Sequence, residues 1–273
     1  MSDRVVMGDR ALSWLRIRSV ARRHAYVLRR GPHRLFDVTV WPVVDVLLFG
    51  SIGAFVAAQP GVGRTAYGYL LTGIVLWHVV YQSQIALSTG VLEETWSRHI
   101  LSLMVTPMTE LEYAAGVALF GLLKLALGVG LVALVAQIAF AFNVTALGWG
   151  LVPIISILLV TGWVISLFVI ALVFRFGSGA EALAWGVLFA VMPLSGVFYP
   201  IRALPALLRP LAQLLPTTHA FDAGRALVDG RGMQWDELGI AALSTLALGV
   251  VAVIFLGRMM KVFRRRGYIS RYT

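Results

Sequence analysis

Side chains able to do chemistry are few in this sequence, and they stand far apart. Catalysis by acid–base or nucleophilic steps needs a base and its orienting groups within hydrogen-bond reach of one reacting atom. The nearest such set, His78 with Asp45 and Glu181, is spread over different apolar stretches and forms no recognisable motif. There is no cysteine, which excludes disulfides, thiolate chemistry and Cys-based metal sites and leaves the redox compartment open. Neither G-x-x-x-x-G-K-S/T nor a G-x-G-x-x-G after a strand occurs, so the chain does not bind ATP by the usual phosphate loop. No catalytic or metal-ligating residue is assigned, and a lipid-modifying membrane enzyme is a weaker alternative.

Two charges fall inside apolar stretches, Asp45 and Lys124. A central Asp, Lys or Arg costs roughly 2.5–3.5 kcal/mol on insertion scales, so each must face protein or water. They are expected to pair structurally, to sit at solvated helix ends, or to serve a pathway. His78 can stay neutral and is cheaper to bury. A proton relay needs several acids at matching depth, and a single deep acid argues against a proton-coupled carrier.

The elements that carry these residues follow from composition. The 273 residues are 59% hydrophobic and 13% charged, against roughly 45–50% and about 25% in soluble domains. A water-soluble fold of this size cannot hide so much apolar surface. Hydrocarbon about 30 Å thick takes ~20 helical residues to cross, and six stretches approach that length: 38–58, 67–87, 113–140, 151–174, 183–199 and 238–257. Small residues four apart, Gly50 with Ala54, Gly53 with Ala57 and Gly186 with Ala190, suit close helix packing.

Net charge is +10, but it is concentrated at the ends. Residues 1–37 hold nine Arg against three Asp, and 258–273 hold six Lys/Arg and no acid. No zinc spacing, recognition helix or basic-aromatic strand motif accompanies this charge, so nucleic acid is not the expected partner; membrane lipid is. An even number of spans returns both termini to one side, which the basic ends make cytoplasmic. Between Leu12 and Arg30, apolar residues at helical spacing alternate with Arg16, Arg18, Arg22, Arg23, Arg29 and Arg30, the pattern of a helix lying on a membrane surface; a disordered basic tail is the alternative.

Five of the ten prolines, 193, 200, 205, 210 and 216, fall within 24 residues. Proline removes a backbone donor and clashes one turn back, so the fifth span is expected to be short. Two short helices, about 203–215 and 218–228, are expected to follow it and dip into the outer leaflet. Backbone freed at that depth must be protected by protein or water. The expected fold is an all-α membrane protein: six transmembrane helices, an N-terminal amphipathic interfacial helix, and a re-entrant broken helix pair after the fifth span.

Residues 91–113 read VLEETWSRHILSLMVTPMTELEY, with Leu92, Trp96, Ile100 and Leu103 on one helical stripe and Glu93, Glu94, Arg98 and His99 off it. This is expected to be a short amphipathic helix on the cytoplasmic side, with the glutamates at the positive end of its dipole. Pro107 ends it, and Thr109 with Glu112 forms a capping box that starts the third span.

That run, together with S-G-V-F-Y-P-I-R-A-L-P at 195–205 and L-P-T-T-H-A-F-D-A-G-R-A-L at 215–227, resembles the permease subunits of bacterial ABC-2 type exporters. The order of these motifs, the six-span layout and the basic lead helix extend the resemblance over nearly the whole chain. Many members carry Gly-Thr where this sequence has Arg98 and His99. The resemblance implies one ABC-2 transmembrane domain over 1–273. Its parts are the basic segment 1–37, a coupling helix at 91–108, outer re-entrant helices at 200–230, and the basic tail 258–273. It implies a multi-pass protein of the bacterial cytoplasmic (inner) membrane, without an ATPase site or cofactor of its own. Its partners would be two copies of a nucleotide-binding ATPase, which hold ATP and Mg, and a second copy of itself, as a homodimer, or a paralogue. Glu93, Glu94, Trp96, Arg98 and His99 become the ATPase-coupling candidates, and Arg16, Arg22, Arg23, Arg29 and Arg30 the gate helix. Asp45, His78, Tyr81, Trp185, Phe189, Tyr199, Pro200 and Arg202 are the candidates for the substrate pathway. The cargo is expected to be an amphipathic drug-like compound, a lipid-linked glycan or a lipo-oligosaccharide; a polysaccharide of O-antigen or teichoic-acid type is the alternative.

Overall fold

The computed structural model describes residues 13–59, 65–96, 110–176 and 182–265. Nine α-helices are present among them. The amphipathic α1 (Trp14–Arg30) turns at Gly31 into α2 (Pro32–Ala57). Two long helices follow, α3 (Thr65–Trp96) and α4 (Glu110–Phe140). A 3-10 segment, Val144–Gly150, leads into α5 (Leu151–Phe176), and α6 (Ala182–Leu194) follows. Short helices α7 (Arg209–Leu214) and α8 (Pro216–Val228) precede the terminal α9 (Trp235–Arg265). No strand occurs among the described residues.

Five of these helices are long and apolar enough to cross a membrane, over Val38–Ala57, Tyr67–Gly90, Ala115–Phe140, Gly148–Phe176 and Trp235–Val262. The expected fifth span is different. Its helix α6 has 13 residues, about 20 Å at 1.5 Å per residue, shorter than a hydrocarbon layer.

α3 is the hub, packed against α2, α4, α5, α6 and α8. Its apolar stretch has the lowest mean hydropathy of the five, 1.4, yet is 83% buried, whereas those of α2, α4 and α9 are 22%, 17% and 22% buried. The cause is its polar content. Thr72, His78, Gln82, Ser83, Gln84 and Ser88 are all buried. In an apolar medium such side chains turn toward other helices, and the greasier helices face outward.

Proline placement corrects the segment after α6. A helix was expected over 203–215; instead a 3-10 turn at Ile201–Ala203 gives way to extended backbone at Leu204 and a turn over 205–208, and only Arg209–Leu214 is α-helical. The residue before proline is pushed out of the α region. Leu204, before Pro205, has ψ 151°, and Leu215, before Pro216, has ψ 126°. Pro210 and Pro216 sit instead in the first turns of α7 and α8, where a missing N–H costs nothing.

Close helix approaches fall only partly where small-residue spacing placed them. A Cβ on Gly50 would lie 2.4 Å from the Phe140 ring and one on Gly53 3.4 Å from Leu70, but one on Gly186 meets nothing within 4 Å. The tightest α3–α5 approach is at Gly162, where a Cβ would lie 1.8 Å from Ser83 Oγ and 2.7 Å from the Val80 carbonyl oxygen. Gly162→Ala therefore forces α3 and α5 apart and is expected to cost about 1–3 kcal/mol. This is measurable as a lower unfolding temperature in detergent. Adding Ser83→Ala should recover only part of the loss, because the Val80 carbonyl remains.

Candidate functional site

Where α6 stops, its last carbonyls lose their intrahelical partners. Ser195 donates its N–H to Val191 O at 2.9 Å, and Gly196 takes φ +69°, the left-handed geometry that closes a helix and that glycine adopts without strain. The chain then leaves as Val197–Phe198–Tyr199–Pro200.

Arg225 of α8 covers this break. It is 5% exposed, and its Nη2 donates to Gly196 O at 2.6 Å and Val197 O at 3.0 Å, while Nη1 donates to Asp222 Oδ1 at 3.3 Å. Its guanidinium carbon lies 3.5 Å from the centroid of the Tyr69 ring of α3, a cation–π contact. The Tyr69 hydroxyl donates to Gly196 O at 3.4 Å, and Thr217 Oγ1 donates to Ser195 Oγ at 2.8 Å. α3 comes close enough because residue 73 is glycine: a Cβ there would lie 2.0 Å from Val197 O. His219 fastens the same region to its neighbours. Its Nδ1 lies 2.7 Å from Glu237 Oε2 of α9 and its Nε2 2.8 Å from Gln213 O of α7.

Beside this knot lies a groove of about 610 Å³. α2 contributes Phe49, Ile52 and Val56, α3 contributes Tyr69 and Leu70, and the segment after α6 contributes Phe198, Tyr199, Pro200 and Arg202. Phe49 and Phe198 stack with ring centroids 4.3 Å apart. The walls are apolar and aromatic, and Arg202 brings an exposed cation to them.

The expected pathway residues thus divide. Tyr199, Pro200 and Arg202 line the groove. Asp45, His78, Tyr81 and Trp185 form a second chain of contacts. His78 Nδ1 donates to Ile74 O at 2.8 Å, and its Nε2 lies 3.6 Å from Asp45 Oδ2. Tyr81 stands with ring centroids 5.9 Å from both His78 and Trp185. The acid of α2 therefore faces His78. Phe189 belongs to neither group and is 61% exposed.

On α1, Ile17, Val20 and Ala21 are buried. Arg22, Arg29 and Arg30 are exposed and Arg23 half-buried, with Arg22 over the Tyr26 ring at 5.6 Å. Arg16 turns instead to Glu112 of α4. Glu93, Glu94 and Trp96 fall in the last turns of α3; Arg98, His99, Pro107, Thr109 and Glu181 lie outside the described residues. Among the described residues, no three His, Cys, Asp or Glu gather as a metal site. Tyr69, Phe49, Phe198 and Arg225 were not singled out from sequence. Phe198 and Arg225 carried a signal there only as members of the 195–205 and 215–227 motifs.

Removing the Arg225 guanidinium takes the donor from the Val197 carbonyl and leaves Gly196 O only the long Tyr69 bond, a loss of about 1–3 kcal/mol for a buried group left unpaired. Arg225→Met is expected to lower the unfolding temperature in detergent clearly. Arg225→Lys, a point charge without the planar fork, should fall between the two.

A search among curated proteins finds no match. Residues 57–258 match the family described as ABC-2 family transporter protein. The match takes in α3, the break after α6, Arg225 and most of α9. The chain accordingly belongs to the ABC-2 type transporter permeases, the multi-pass transmembrane components of ABC transporters that work with an ATPase subunit.

Proposed function

We propose that this chain is the permease of an ATP-binding cassette exporter. It moves an amphipathic molecule, drug-like or a lipid-linked glycan or lipo-oligosaccharide, out across the cytoplasmic membrane. The family match over residues 57–258 carries this reading. Two copies of a separate ATPase subunit supply ATP hydrolysis and hold the nucleotide and Mg, and a second copy of the chain or a paralogue completes the route. Both termini lie in the cytoplasm, as the basic ends favour. In that orientation the end of α3 with Glu93, Glu94 and Trp96, followed by Arg98 and His99, meets the ATPase. Helix α1 packs along the cytoplasmic end of α4 as the gate. Helix α6 enters from the cytoplasmic side as the fifth of six crossings, and α7 and α8 form the re-entrant pair in the outer leaflet. The groove beside Arg202 suits a cargo with an apolar body and a polar end.

The experiment is reconstitution with the ATPase in inside-out vesicles. ATP hydrolysis should appear only with the partner present, and export should follow it. Glu94→Arg is expected to leave membrane insertion intact while ATP hydrolysis no longer drives export; normal export by that variant removes Glu94 from coupling. Pro200→Ala should slow export more than it lowers expression, and unchanged export would make Pro200 structural only.

A further inference from the structure

We infer that Glu112 yokes helix α1 to the start of α4, so that the amphipathic helix and the exit of the coupling segment move as one body. This rests on the coupling role proposed above for residues 91–108.

Glu112 lies in the first turn of α4 and is 1% exposed. Its Oε1 accepts the backbone N–H of Ser13 at 2.8 Å, and Arg16 Nη1 donates to its Oε2 at 3.2 Å and Oε1 at 3.4 Å. Ser13 is the N-cap of α1, its own side chain makes no capping bond, and the first turn of α1 contains no acid. A helix N-terminus presents unpaired N–H groups and positive potential. Here the carboxylate that answers them comes from another helix, 99 residues away in the chain.

The contact continues in register. A Cβ on Gly116, one turn beyond Glu112, would lie 2.5 Å from Val20 Cβ and 2.8 Å from the Ile17 carbonyl oxygen. One turn further, the Phe120 ring stacks on His24 at 5.5 Å. Residues 13–16, 17–20 and 24 thus meet 112, 116 and 120 in order, so α1 runs parallel to α4 over its first turns. Swinging α1 alone would take the Arg16 cation and the Ser13 N–H from a buried carboxylate, which is costlier than exposing an apolar face. A displacement delivered at the start of α4 therefore reaches α1 in the same step. Glu112 and Arg16 act as positioning residues for the gate.

The test uses the full permease–ATPase complex in vesicles. Glu112→Gln keeps an acceptor for Ser13 but loses the charge, and is expected to lower export per ATP hydrolysed by roughly tenfold, the size of one charge-assisted hydrogen bond. Glu112→Asp should recover part of that ratio. Because the chain has no cysteine, His24→Cys with Phe120→Cys supplies its only thiols, in a background that keeps Glu112. Joining them through a short reducible linker should leave export within about twofold of the reduced form, since the two helices already travel together. Export blocked by the link and restored by reduction shows α1 moving against α4 and overturns the inference. Unchanged export per ATP in Glu112→Gln overturns it too, with the exporter reading intact. No ATP-driven export by the unmodified complex defeats the exporter reading itself, and the inference with it.

Discussion

A helix that ends in the interior leaves carbonyl oxygens that water does not reach, and each needs a donor or costs the fold about as much as a lost hydrogen bond. The break after Leu194 is such an end, and Arg225 supplies the donors. Much else follows from that need. Arginine is the side chain whose planar fork can serve two carbonyls and a carboxylate while stacking on a ring. The ring is Tyr69, and its helix can approach only because residue 73 has no side chain. α8 must in turn lie where its third turn faces the break, which is why Pro216 starts it and why α7 is cut to six residues. The groove is the by-product: past the break Phe198 stacks on Phe49 of α2, and Tyr199, Pro200 and Arg202 line the space beside it.

Polarity is arranged inside out relative to a soluble protein. Gln82, Ser83, Gln84 and Ser88 turn inward on α3, while Leu127, Ile138, Leu243 and Leu246 on α4 and α9 face outward. Lipid accepts apolar side chains as readily as a protein interior does, so packing and polar contacts decide which helix is central. That also explains why glycine matters most at Gly73, Gly116 and Gly162, each facing a backbone carbonyl of a neighbouring segment at 2.8 Å or less from where a Cβ would stand.

Such considerations set what the sequence could reveal. The long apolar stretches are visible because length and hydropathy alone define them, and the proline cluster announced a break because a missing N–H acts locally. The length of the fifth helix and the non-helical link at 204–208 were only half legible. They depend on which side of each proline the chain turns, and that is decided by what it packs against. Asp45 and His78 were each conspicuous as polar residues in apolar stretches, but their pairing needed the register between α2 and α3. Tyr69 was invisible. An aromatic residue near a span end looks like an interfacial anchor, and nothing local marks it as the floor under an arginine 156 residues later. Glu112 was legible as a capping residue of its own helix, whereas its contact with Ser13 and Arg16 is a long-range fact.

The ends of α3 join these observations. The helix is unbroken for 32 residues, about 48 Å at 1.5 Å per residue. One end carries Glu93, Glu94 and Trp96 into the proposed ATPase contact; near the other, Tyr69 and Gly73 hold Arg225 and the carbonyl of Val197. A rod of that length, buried along most of its spanning stretch, does not absorb a push by bending. Glycines let it pack close to backbone carbonyls, Val80 O of α3 beneath Gly162 of α5 and Val197 O against Gly73, and such backbone packing resists slippage in a way that flexible side chains do not. Movement at the ATPase-facing end therefore leaves the outer knot two options, to travel with α3 or to break the Arg225 contacts. The energy of unpairing two buried carbonyls makes the first the cheaper.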